Sequence, residues 1–419
     1  MVAVPVDGAG LLSALDTLPR AFTYPQRLEV HLASVLLSGL LLFVLRPLPP
    51  GLSRALVAIP VTLLNFLLPF LFDGDKEMMT NVSIFIVTSS LSSFKALGWA
   101  LNRGPLVRPL NLAQFLFVYS CPITPREELG AVSGERQAAA NGNKKDDDAQ
   151  HTTAAAAGGG PPRHGGRLRE KGLTPAQSLV AFALKGAALA AVCYVLSTFD
   201  LPRLARSELY IVSLYCGLSM GMDAPAALAG SLLGLDISPH FDNPFAATSF
   251  AELWNKRWNL TVGNALRFLI YDPINELRLV KNPKQSAKFS PLRRLVGVLA
   301  VFAMSGFMHE VLYWYFQREW LGGVWQLYFT LWGVLVIVEG ILKKILKSAG
   351  ITIPPWLGWL YTNAVSTIMI DRLWWGPLMA RGITEKSVAH AITGVRDAAA
   401  YFGLEHWLAG LKVAGLKLA

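Results

Sequence analysis

The sequence predicts an all-α, polytopic bundle of membrane-spanning helices. Three observations carry that reading. Long apolar runs recur along the chain, each close to the roughly 17–25 residues a helix needs to cross about 30 Å of hydrocarbon. Only 16% of the 419 residues are charged, while 53% are hydrophobic; a soluble domain averages roughly 25% charged. The basic residues gather between the runs, as they do where Lys and Arg stay in cytosolic loops.

In chain order, the clearest spans run from His31 to Leu45, Ala55 to Phe72, Val82 to Leu101, Pro175 to Leu196 and Glu208 to Leu233. Three more run from Leu295 to Phe316, Val324 to Leu342 and Pro355 to Trp375. That makes about eight, give or take about two, and the first, being short, is expected to start nearer Leu28. No apolar stretch follows a basic one in Met1 to Arg20, so the first span is expected to serve as signal anchor. Asn111–Pro122 is too short to cross and reads as a re-entrant or interfacial segment, as does Trp258–Ile270. Thr384–Leu416 reads as an amphipathic surface helix.

The chain is read as one domain, 1–419, interrupted at 127–172 by a low-complexity loop. That loop holds Lys144-Lys145-Asp146-Asp147-Asp148, an alanine run and a Gly-Pro stretch. It carries too few large apolar side chains to form a core and is expected to be disordered. No internal repeat stands out.

Net charge is +10 and the isoelectric point about 9.5. Arg46, Arg54, Arg103, Arg108, Arg126, Arg163, Arg293, Arg294, Lys343 and Lys344 share one side if Asn111–Pro122 does not cross, opposite the acidic loop Asp73-Gly74-Asp75-Lys76-Glu77. The positive-inside rule puts the basic side in the cytosol. Because these residues are scattered through loops rather than gathered on a folded patch, nucleic-acid binding is set aside. Cys121, Cys193 and Cys216 form no CxxC pair and are expected to be buried thiols.

His309 and Glu310 lie inside the sixth span, in Ser305-Gly306-Phe307-Met308-His309-Glu310. An ionisable pair inside an apolar span marks a functional site by default. Apolar surroundings favour the neutral imidazole, the form that can take a proton from an attacking alcohol. A structural histidine bonded to another helix is the competing reading. No metal-ligating partner stands at i+3 or i+4 from His309, so a metal is not expected. Glu310 points about 100° away from His309 around the helix, so it is expected to hold a packing contact or orient another polar group. Ser305 and Gly306 would let a helix or a chain come close.

A second cluster, Trp254-Asn255-Lys256-Arg257-Trp258-Asn259, reads as a pocket wall. Asn259 could polarise or steady a carbonyl oxygen, and Lys256 and Arg257 could meet phosphates. An interfacial belt of aromatic and basic anchors is the competing reading. Lys95 and Lys185, inside spans, are expected to snorkel to the interface. Asp371-Arg372 is expected to be a local ion pair.

Together with Ser92-Ser93-Phe94-Lys95-Ala96-Leu97, Asn102-Arg103-Gly104-Pro105-Leu106, Pro122-Ile123-Thr124-Pro125-Arg126 and the run Phe241 to Phe250, these clusters resemble the plant and algal wax synthases. These are long-chain-alcohol O-fatty-acyltransferases of the membrane-bound O-acyltransferase group. Leu253 to Asn259 resembles their FWGRRWN signature and Ser305 to Glu310 their SGLMHE, within a signature region of about 235–320. Asn255 stands for the usual Gly, Lys256 for an Arg and Leu253 for a Phe.

The resemblance implies His309 as catalytic base and Asn259 as the second catalytic-site residue. It implies fatty acyl-CoA entering from the cytosol as co-substrate, with no bound cofactor, and a long-chain alcohol entering from the membrane of the endoplasmic reticulum. Trp254, Lys256, Arg257 and Trp258 would line the acyl-CoA site, supported by Glu310, Ser305 and Gly306. The same chemistry on a sterol or diacylglycerol is the nearest alternative. A lipid or proton-coupled transporter, with His309 and Glu310 carrying protons, is the alternative of another class.

Overall fold

The computed structural model describes residues 15–126, 172–282 and 290–401. The expected spans all form helices. They are α1 (Tyr24–Val44), α2 (Leu52–Leu67, continued by a 3-10 turn) and α3 (Met78–Ala100). A short α4 (Leu112–Ser120) precedes the low-complexity segment, and α5 (Pro175–Thr198) and α6 (Arg203–Leu233) follow it. Two short bent helices, α7 (250–257) and α8 (260–276), carry the tryptophan cluster. Then come α9 (Pro291–Gln317), α10 (Val324–Ser348), α11 (355–379) and α12 (Ile383–Tyr401). The low-complexity segment 127–172, but for its last residue, and the chain beyond 401 lie outside the described residues.

Among the described residues, six helices (α1, α2, α3, α5, α6 and α9) are long and apolar enough to cross a membrane. The protein is an integral membrane protein of all-α build. α10 and α11 coincide with the remaining two expected spans. α10 ends in Lys343, Lys344 and Lys347, and α11 is regular for only 15 residues before its winding widens. At nine residues α4 is too short to span, as expected.

Local sequence sets the helix boundaries. Thr174 and Asn111 cap α5 and α4 through reciprocal bonds with Gln177 and Gln114. Pro291 opens α9, where its missing N–H costs nothing. Gly323 enters α10 at φ 78°, a left-handed conformation that glycine adopts freely.

α1 to α4 pack around Leu42, Val61, Trp99, Phe115 and Tyr119. Asn65 of α2 joins this group, donating to Ser93 Oγ and Tyr119 Oη at 3.1 Å each. α9, α10 and α11 enclose an aromatic core of Phe302, Tyr328, Phe329 and Trp332. α5 and α6 form a hairpin on the flank, and only 6% of the apolar window of α5 is buried.

Two charged side chains depart from the sequence reading, and a third keeps its expected pair while gaining others. Lys95 does not snorkel: its ammonium is buried and donates to the carbonyls of Val118 and Cys121 at the end of α4, 2.6 and 2.5 Å away. Lys185 does not snorkel either, because Ser219 and Asp223 of α6 accept from it at 2.6 and 2.5 Å. In each case a partner on a neighbouring helix replaces water. Asp371 does pair with Arg372, at 3.4 Å, but it also accepts from Arg203 at 3.1 Å and Ser207 at 2.7 Å, tying α11 to α6. Cys193 and Cys216 are buried free thiols and Cys121 is half-buried.

Candidate active site

A cavity of about 1350 Å³ runs between α3, α6, α8, α9, α10 and α11. Along α9 its lining extends from Val298 to Phe316, which is about 27 Å of helix axis at 1.5 Å per residue. It therefore follows most of the thickness of a hydrocarbon core. Asp242, Lys256, Arg267 and Tyr271 line it towards the start of α9; Met78, Leu378 and Ile383 line it towards the end. His309 lies between, roughly 16 Å from Val298 and 10 Å from Phe316 along the axis.

The geometry around His309 fixes its tautomer. Nδ1 lies 2.6 Å from the Ser305 carbonyl. A carbonyl only accepts, so Nδ1 carries the proton and Nε2 presents its lone pair. Nε2 has no hydrogen-bond partner among the described residues. The ring stacks on Phe329 at 4.4 Å and meets the edges of Trp374 at 5.2 Å and Trp325 at 6.0 Å. The imidazole is therefore held between aromatic faces while one edge stays open to the cavity.

Glu310 is buried and faces away from the cavity. Its Oε1 accepts the backbone N–H of Trp325 at 2.9 Å, in the first turn of α10, where four N–H groups lack helical partners and the dipole favours an anion. The bond ties α9 to the start of α10. Gly306 is also outside the cavity: a Cβ there would sit 2.8 Å from Gln326 Cα, so the bare residue sets how closely α9 and α10 approach.

Asn259 lies at the joint between α7 and α8, with φ 38° and ψ 62°. This left-handed conformation is one Asn tolerates better than most residues. Its side-chain oxygen accepts from Val262 N–H at 3.3 Å and caps α8, which leaves the amide NH₂ as a donor. Asn259 and His309 line the same cavity, together with Trp254, Lys256, Trp258 and Ser305. Ring contacts link the two regions, from His309 to Phe329, from Phe329 to Trp254 at 6.0 Å, and on to Trp258 at 6.5 Å.

Arg257 is not among the lining residues. Its guanidinium donates to Glu252 at 2.9 and 3.1 Å and to the carbonyls of Asp242 and Asn243. Burial alone would raise the Glu252 carboxyl, but hydrogen bonds from Thr248 and Arg257 hold it below its ordinary range. Lys256 stays exposed at the cavity wall.

Several contributors escaped the sequence reading. Phe329, Trp325 and Trp374 box His309, yet each is one aromatic residue among many in its helix. Glu339 of α10, buried, accepts from Ala251 N–H at 3.2 Å and from Tyr361, fixing the start of α7. A carboxylate inside an apolar run was the available signal. The winding also widens to π geometry at 85–92, 253–257, 267–271 and 370–375. Each of these segments contributes lining residues, and such widenings concentrate at functional sites.

Residues 237–332, which include both Asn259 and His309, match the membrane bound O-acyl transferase family. The acyl-CoA–sterol O-acyltransferase 1 of Arabidopsis thaliana is 26% identical over 79% of this chain and 84% of its own length. The long-chain-alcohol O-fatty-acyltransferase of Simmondsia chinensis is 27% identical over 70% and 72%. A probable long-chain-alcohol O-fatty-acyltransferase 7 of Arabidopsis thaliana is 30% identical over 50% and 60%. The resemblance to wax synthases seen in the motifs is borne out: the chain is similar to these O-acyltransferases over much of its length.

Proposed function

We propose that the protein is an acyltransferase that esterifies a long-chain fatty alcohol with the acyl group of a fatty acyl-CoA, forming a wax ester inside the membrane of the endoplasmic reticulum. The observation that carries the reading is that His309, with a free Nε2, and Asn259, with a free amide NH₂, line one cavity.

His309 Nε2 takes the hydroxyl proton as the alcohol oxygen attacks the thioester carbonyl. The Asn259 amide donates to the oxygen that gains charge. The C–S bond breaks, the thiolate leaves, and the imidazolium returns the proton to it, so no proton is gained or lost overall. The chemistry needs no bound cofactor. Lys256 meets phosphates of the acyl-CoA, and Trp254 and Trp258 line its path. The cavity exceeds the roughly 300–1,000 Å³ typical of a single-ligand site, which suits two long chains.

A sterol acceptor is the second reading, favoured by the likeness to the sterol O-acyltransferase over most of both chains. The deciding experiment uses microsomes from cells without neutral-lipid synthesis, given labelled palmitoyl-CoA with hexadecanol, a sterol and diacylglycerol in competition. Ester on hexadecanol is expected. Sterol ester or triacylglycerol instead would keep the chemistry and replace the acceptor, and no transfer to any of them would overturn the proposal.

A further inference from the structure

Two short stretches clasp each other beside Asn259. One is the loop 238–243 after α6; the other is the joint between α7 and α8. Leu260 N–H donates to the His240 carbonyl at 2.8 Å, and Asp242 N–H to the Arg257 carbonyl at 2.9 Å. On the other side of Asn259, Trp258 N–H donates to the Leu253 carbonyl at 2.8 Å. The side chain of His240 adds a further tie, its Nδ1 hydrogen-bonding Thr261 Oγ1 at 2.8 Å. Both side chains are buried, with His240 5% and Thr261 3% exposed.

This clasp has a conformational task. The left-handed backbone at Asn259 persists only where its surroundings over-determine it. Its amide direction follows from that backbone and from the single bond to Val262. If the first turn of α8 relaxed, the amide would swing away from the cavity.

His240 is suited to a neutral, fixed contact. Burial, and then the nearby charges of Lys185 and Lys95, push it down to about 4, so it is uncharged at neutral pH. Asp223 on α6 offsets Lys185 at 2.5 Å. His240 and Ser238 line a small polar chamber of about 60 Å³ with Lys185, Ser219 and Asp223. The backbone of Met222 on α6 also lies within hydrogen-bonding reach of the His240 ring, so the imidazole is held from α6 as well as from α8.

We propose that His240 is a positioning residue: through Thr261 and the first turn of α8 it aims the Asn259 amide into the cavity. This inference rests on the reading of Asn259 as the group that steadies the thioester oxygen.

The test depends on which ring nitrogen matters. An asparagine at 240 puts an amide atom near the place of Nδ1; a glutamine puts one near Nε2. With labelled palmitoyl-CoA and hexadecanol, His240→Ala and His240→Gln should lower kcat by about 10- to 100-fold, the scale of a misplaced catalytic group. The KM for acyl-CoA should stay within about twofold, because a positioning loss falls on the chemical step. His240→Asn should recover most of the rate, and Thr261→Val should behave like His240→Ala. Adding His240→Ala to Asn259→Gly should cost nothing further.

Equal activity of His240→Asn and His240→Gln would overturn the inference, as would a further loss in the Asn259→Gly background. If His240→Ala does not fold, the Asn and Gln variants still decide. Full activity of Asn259→Gly would instead remove the underlying reading of the site.

Discussion

Glu310 Oε1 accepts the backbone N–H of Trp325 at 2.9 Å, so the residue next to His309 anchors the helix whose aromatic side chains enclose it. Trp325 and Phe329 both stand on the first turns of α10 and both contact the His309 ring. The pair His309-Glu310 therefore combines one group facing the cavity with one that fixes the wall opposite.

Glu310→Gln keeps an acceptor for Trp325 N–H and should retain activity within about fivefold. Glu310→Leu leaves that N–H buried without a partner, a loss of about 1–3 kcal/mol, and should lower both melting temperature in detergent and kcat. A proton-carrying role for Glu310 predicts the opposite for Gln, an effect as severe as Leu. Ester formation by the two variants separates these outcomes.

Gly306→Ala drives a methyl group to 2.8 Å from Gln326 Cα, a backbone atom that cannot rotate away. Overpacking of this kind costs about 1–3 kcal/mol. A drop in melting temperature together with lost activity is expected, and Gly306→Val should be worse. A Gly306→Ala protein as stable and active as wild type would contradict the close packing of α9 on α10.

Lys256 and Arg257 should separate cleanly. Lys256→Ala should raise the KM for acyl-CoA about 3- to 10-fold with kcat unchanged, because it removes binding energy common to ground and transition states. Arg257→Ala removes the ion pair of Glu252, leaving it only the hydrogen bonds from Thr248, and frees the loop at Asp242 and Asn243. Its expected effect is lower folded yield. A KM effect for Arg257→Ala in well-folded protein would return Arg257 to the substrate site.

Asn259→Gly separates shape from chemistry. Glycine accepts the left-handed backbone without strain, and losing the side-chain cap to glycine costs only a few tenths of a kcal/mol. The variant should keep its melting temperature and lose kcat by about 10²- to 10³-fold, the scale of one missing oxyanion donor. Stability and rate measured on the same preparation check this.

Much of the fold was legible because a span announces itself: an apolar run of fixed length survives any error of a few residues at its ends. His309 was legible for the same reason, as an ionisable group where water is absent. Contacts between elements distant in sequence were not. Lys95 and Lys185 looked like snorkelling side chains because the carbonyls of α4 and the carboxylate of Asp223 become neighbours only through tertiary packing. Arg257 looked free to bind phosphate because the turn that brings Asp242 and Asn243 to it has no signature in the sequence. His240 carries no signal of its own in the sequence, because Thr261 and the first turn of α8 reach it only through tertiary packing. That His309 and Asn259 share a cavity required the pairing of α8 with α9, which neither motif encodes alone.

The central claim is that His309 takes the alcohol proton. The most direct measurement is the rate of wax ester formation from labelled palmitoyl-CoA and hexadecanol by purified His309→Ala and His309→Gln proteins. Their melting temperature and acyl-CoA binding must first match wild type. Both variants are predicted to lose at least about 10²-fold in kcat, the lower range for a general base, with acyl-CoA still bound. Ester formation at the wild-type rate by either folded variant would contradict the account.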